Sequence, residues 1–108
     1  MARNVWSRNA EESEKTLESY LCEQVKEKLR GLSLKYFNPN ATGYPDRIIL
    51  IKGLPDIWVE MKSKGKHATA LQQARIERLR DLGRMVKVCR SRTDVDNLIK
   101  EIKRKYEI

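Results

Sequence analysis

The chain is predicted to fold as an α/β layer structure in the order α-β-β-β-α-β-α, a mixed sheet flanked by helices. Three observations carry this expectation. Two apolar, β-forming runs at 47–51 and 57–61 are joined by a short turn with Gly53 and Pro55. Helical periodicity recurs in residues 10–30, 69–82 and 93–106, and another β-rich run, residues 85–89, follows the middle helical segment.

Each element has its own signals. In the first helix Leu17, Leu21, Val25 and Leu29 recur every fourth residue, Gly31 is the expected stop, and Glu14 and Glu18 share one side. Residues 34–37 are a short strand candidate, and residues 38–43 read as a loop from their turn formers. Pro45 forbids helix just before Arg47. The two strands that follow are apolar on both faces, which predicts central positions in a covered sheet. Thr69 and Gly83 bracket the second helix. The last helix gathers Val95, Leu98, Ile99, Ile102 and Tyr106 on one face, with Lys100, Lys103, Arg104 and Lys105 elsewhere.

Length and composition narrow the function. A chain of 108 residues with 35% charged and 40% hydrophobic residues is expected to be a single globular domain, residues 1–108. No apolar run approaches the roughly 18 residues of a membrane span. The N-terminus lacks a secretory apolar stretch, so the expected location is inside the cell. Cys22 and Cys89 are expected as reduced thiols, and with the lone His67 they make no zinc site. The net charge is +8: residues 1–60 hold nine basic and nine acidic side chains, residues 61–108 fourteen and six. An excess confined to one half points to a polyanionic partner, nucleic acid ahead of membrane.

The stretch GYPDRIILIKGLPDIWVEMK, residues 43–62, carries Pro-Asp twice and then Glu60-Met61-Lys62. A hairpin centred near Gly53 sets Asp46 opposite Glu60, with Cβ atoms roughly 5 Å apart. Asp56 is four residues from Glu60 on the same strand, roughly 13 Å at about 3.3 Å per residue, too far to share an ion. Lys62 falls on the same strand face as Glu60. Two carboxylates and a lysine at this spacing suit Mg²⁺ or Mn²⁺ and phosphodiester chemistry, the lysine orienting water or meeting charge on the phosphate.

With the flanking segments, these residues resemble the VRR-NUC (virus-type replication-repair nuclease) family of the PD-(D/E)xK superfamily. The match runs through Leu17-Glu18-Ser19-Tyr20-Leu21, residues 39–43, Pro45-Asp46-Arg47, Val59-Glu60-Met61-Lys62, Ala70-Leu71-Gln72, residues 79–83 and Val86-Lys87-Val88. Lys62, Gln72 and Gly83 also keep the family's lysine-to-glutamine and glutamine-to-glycine spacings. Tyr44 and the turn of residues 52–56 depart from the family pattern.

The resemblance implies a restriction-endonuclease-like core and an Mg²⁺- or Mn²⁺-dependent deoxyribonuclease. Asp46, Glu60 and the Met61 backbone carbonyl would bind metal, and Lys62 would assist the water. Glu18 would complete the cluster directly or through a water, with Glu14 its rival one turn earlier. Gln72 would approach from the second helix, although Thr69-Ala70-Leu71-Gln72 also reads as a capping box. Lys64, Lys66 and His67, then Arg47, are candidates for phosphate contacts, and Tyr44 for stacking on an unpaired base. The expected substrate is branched or flapped DNA, including Holliday junctions. A homodimer is expected through Val5, Trp6 or the last helix, and a phage or mobile-element origin. The alternatives are a non-catalytic basic DNA-binding module and a sequence-specific restriction-type nuclease.

Overall fold

The computed structural model describes residues 13–63 and 65–108. Its elements follow the predicted order: α1 (Glu14–Leu29), β1 (Leu32–Lys35), β2 (Arg47–Leu50), β3 (Ile57–Met61), α2 (Ala70–Asp81), β4 (Met85–Cys89) and α3 (Arg92–Tyr106). The strands form one sheet ordered β1-β2-β3-β4. The first three are antiparallel, as short connections allow, and β4 is parallel to β3 because α2 carries the chain back between them.

Strand alternation divides the core between two faces. On one, Leu17, Leu21, Val25 and Leu29 of α1 meet Val95, Leu98, Ile99 and Ile102 of α3 over Ile49, Ile57, Val59 and Met61. On the other, Ile76 and Leu79 of α2 pack with Val86 beside Tyr44, Trp58 and Val88. Side chains capture orphan helix amides at each N-terminus: Ser13 accepts from Thr16 N–H, Thr69 from Gln72 N–H and Ser91 from Asp94 N–H. No helix among the described residues is long and apolar enough to cross a membrane.

The hairpin register is the one the sequence predicts: Arg47 pairs with Val59, Ile48 with Trp58 and Ile49 with Ile57. One further step along the strands sets Asp46 beside Glu60.

Three expectations need correction. The first strand is Leu32–Lys35 rather than 34–37, because those four residues pair with all of β2 and the chain turns away at Tyr36. Arg30, not Gly31, takes the left-handed cap at φ 52°. Gly31 serves close approach, since a Cβ there would lie 2.8 Å from the Leu50 carbonyl oxygen. Finally, β2 is not covered on both faces: α2 lies over β3 and β4, and Leu34 and Leu50 on the same side of the sheet stay 43% and 42% exposed.

Candidate active site

The hairpin mouth, the first turns of α1 and the start of α2 converge on one cluster. Asp46 stands just before β2, and its Oδ1 accepts from the Met61 amide at 3.0 Å. That bond fastens the carboxylate to the end of β3. Glu60, one residue earlier on β3, is only 4% exposed. Its Oε2 lies 3.6 Å from Lys62 Nζ and accepts from Gln72 Nε2 at 3.3 Å. Lys62 is held in turn by its backbone amide, which donates to the Cys89 carbonyl at 3.0 Å.

The electrostatics follow from this crowding. Burial pushes the Glu60 carboxyl up, and the neighbouring Asp46 charge pushes it further, to about 7 even with Lys62 opposing. The Asp46 carboxyl is raised too, chiefly by burial, with Glu18 and Glu14 adding repulsion and the Met61 amide opposing. The cluster therefore has more negative charge than its own lysine offsets. A hard divalent cation would relieve it.

Both helix-one glutamates reach the cluster, in different ways. Glu14 Oε1 accepts from the Ser63 amide at 3.1 Å, just beyond Lys62. Glu18 Oε1 lies 3.9 Å from Arg47 Nη1. Gln72 makes contacts of both kinds its sequence suggests: its Oε1 accepts from Thr69 N–H at 2.9 Å while its Nε2 donates to Glu60 at 3.3 Å. An amide has an acceptor and a donor, so one end closes the helix and the other holds the carboxylate.

Asp56 stands apart. Its Oδ2 accepts from Trp58 Nε1 at 2.5 Å, and its Oδ1 pairs with Arg84 at 3.2 Å.

Of the residues named for DNA contact, Lys66 and His67 are exposed, and Lys64 lies outside the described residues. Arg90 Nε donates to the Lys66 carbonyl at 3.1 Å and steadies that loop. Arg47 is buried, not presented to solvent. It donates to the Ser33 hydroxyl and carbonyl, both at 3.2 Å, and to Cys22 Sγ at 2.7 Å. The partners it lacked in the sequence reading come from α1 and β1; Cys22, four residues after Glu18, was the available signal. Tyr44 is half-buried, with its ring against Tyr36 and Trp58 and the Arg75 guanidinium 4.7 Å from its centre. Trp58 is only partly buried within this aromatic group. Arg75, which also donates to the Thr42 carbonyl, gave no sequence signal beyond its charge.

Comparison with known proteins gives the arrangement a family. One solved structure described as a VRR_NUC domain superposes with a TM-score of 0.74 at 30% identity, covering 81% of this chain and 94% of its own. A second, a VRR_NUC domain protein, does so with a TM-score of 0.65 at 25% identity, covering 87% and 88%. A protein of Acyrthosiphon pisum secondary endosymbiont phage 1, provisionally named nuclease p44, is 33% identical over 73 residues, 68% of this chain and 77% of that protein. The chain belongs to the VRR-NUC family of nucleases. No family model matches the sequence. The VRR-NUC fold accounts for the element order and the mixed sheet.

Proposed function

We propose that this VRR-NUC chain, as a single domain over residues 1–108, is an Mg²⁺- or Mn²⁺-dependent endodeoxyribonuclease acting on branched DNA, Holliday junctions included. The observation that carries the reading is the convergence of Asp46, Glu60, Lys62 and Gln72 from three elements at the hairpin mouth. The donor set suits the metal, being all oxygen and acidic. Among the described residues no three His, Cys, Asp or Glu side chains form a ready-made cage. That is consistent with Mg²⁺, which uses one or two carboxylates and completes its shell with waters and substrate phosphate.

Asp46, Glu60 and the Met61 carbonyl would hold the ion, with Glu18 or Glu14 contributing through a water. When bound, the ion polarises the phosphodiester and lowers the pKa of water. The protein's own contribution is positional. Gln72 and the Met61 amide fix the two carboxylates, and Lys62 orients the attacking water or meets the charge that grows on the phosphate. Lys64, Lys66 and His67 would contact the DNA backbone. Two copies related by two-fold symmetry would match a symmetric junction, and the phage relative supports action inside an infected cell.

The test is incubation of the protein with four-way junctions, flaps and linear duplex in Mg²⁺, Mn²⁺ or EDTA. Metal-dependent cleavage of branched DNA is expected. Binding without cleavage would leave a basic DNA-binding module, and cutting of linear duplex at one sequence would make it a restriction-type nuclease.

A further inference from the structure

Between Tyr36 and Asp46 the chain makes a nine-residue loop whose neck is the hydrogen bond from Tyr36 N–H to the Asp46 carbonyl, 2.8 Å. The loop is built rigidly. Asn38 Oδ1 accepts from the Asn40 amide at 3.0 Å, Arg75 donates to the Thr42 carbonyl, and Gly43, at φ +90°, lets the backbone pass so close to Leu71 that a Cβ would lie 2.7 Å from its Cγ. Under the loop lies a cavity of about 140 Å³, walled by Tyr36, Phe37, Asn38, Thr42, Tyr44 and Asp46. Tyr36 packs edge to face on both Tyr44 and Trp58, and Tyr44 lies tilted against Trp58. Phe37 is 76% exposed.

We propose that this cavity receives one unstacked nucleobase of the DNA strand beside the cleaved phosphate, with Phe37 as its stacking surface. The inference rests on the nuclease reading and names what that site selects. The volume is well below the roughly 300–1,000 Å³ of pockets for drug-sized ligands, so the guest is a single ring system. Its lining includes aromatic rings and an amide but no lysine or arginine, so it suits a neutral planar group, not a phosphate. Asp46 is one of its lining residues, so the cavity borders a residue of the candidate metal site. A paired base inside a duplex cannot enter such a cavity, whereas a base at a branch, flap or end can leave its stack cheaply.

The experiment compares wild type, Phe37→Ala and Phe37→Trp on flaps, four-way junctions and linear duplex. Cleavage is read as kcat and KM, and equilibrium binding is measured in EDTA. Phe37→Ala should bind branched DNA roughly 5- to 150-fold more weakly, the loss expected of one base–aromatic stack. It should raise KM with kcat unchanged and leave linear duplex as before. Phe37→Trp should restore binding. An abasic residue at one position beside the cut should make wild type as poor as Phe37→Ala, and 2-aminopurine there should change fluorescence with wild type and Phe37→Trp but not with Phe37→Ala. Equal binding by wild type and Phe37→Ala, with no effect of the abasic residue, overturns the proposal. If wild type cleaves no DNA the nuclease reading fails separately, and the binding and fluorescence arms still decide the role of Phe37.

Discussion

Replacing Glu60 by Gln should destroy cleavage and, in the metal-free protein above neutral pH, increase stability. Glu60 is buried beside Asp46, and its carboxyl rises from an ordinary 4.5 to about 7. The fold therefore prefers the protonated acid by about 3 kcal/mol, at roughly 1.4 kcal/mol per tenfold change in proton affinity. Below pH 4.5 both folded and unfolded chains keep the proton and no penalty exists. Between 4.5 and 7 the folded state holds a proton that the unfolded state has released, so stability falls as pH rises. Above 7 the full cost remains. Gln is a neutral stand-in that still accepts from Gln72, so Glu60→Gln should gain nothing near pH 4 and up to about 3 kcal/mol at pH 8 in EDTA. For a chain of this length that is a rise in Tm on the order of 10 °C. Thermal and urea denaturation across that pH range measure it. Adding Mg²⁺ should stabilise wild type and close the gap, because only a site that binds the ion gains by mass action. A gain at pH 4 equal to that at pH 8 would refute the reasoning, as would a loss at pH 8.

Five further substitutions separate roles within the cluster and around it. Asp46→Ala should abolish cleavage and retain DNA binding in EDTA, whereas Asp56→Ala should keep cleavage and cost about 1 kcal/mol in urea denaturation, from its Trp58 and Arg84 contacts. Thr69→Ala and Gln72→Ala should each lower stability by about 1 kcal/mol through the shared cap, but only Gln72→Ala should also slow cleavage, since it alone releases Glu60. Arg47→Met should destabilise by roughly 1–3 kcal/mol by orphaning Glu18 and Ser33. The salt dependence of its DNA binding should match wild type; a reduced slope would return Arg47 to the DNA interface.

The hairpin was legible because three local signals agreed: apolar strands, a turn of fixed length, and acidic residues at numbers that a single register brings together. Gln72 was harder. Capping box and inward-facing amide are competing readings of one residue on paper, and only three dimensions show that the two ends of the side chain serve both. The burial of Arg47 was not legible, since Ser33 and Cys22 lie 14 and 25 residues away and join it only when β1 and α1 close over β2. Phe37 was read as the end of a strand. Its exposure depends on where β1 stops pairing, and element boundaries are set by tertiary contacts more than by local preference.

The two-ended use of Gln72 also constrains how this chain can change over generations. The start of α2 and the grip on Glu60 are read off the same side chain, so inserting or deleting one residue just after Gln72 would leave the grip intact but turn Ile76 and Leu79 by about 100° out of the core. A length change in residues 63–68, by contrast, moves no part of the Thr69-to-Gln72 unit relative to itself. Variation in length among descendants should therefore collect in that preceding loop, leaving the four-residue phrase to travel as a block.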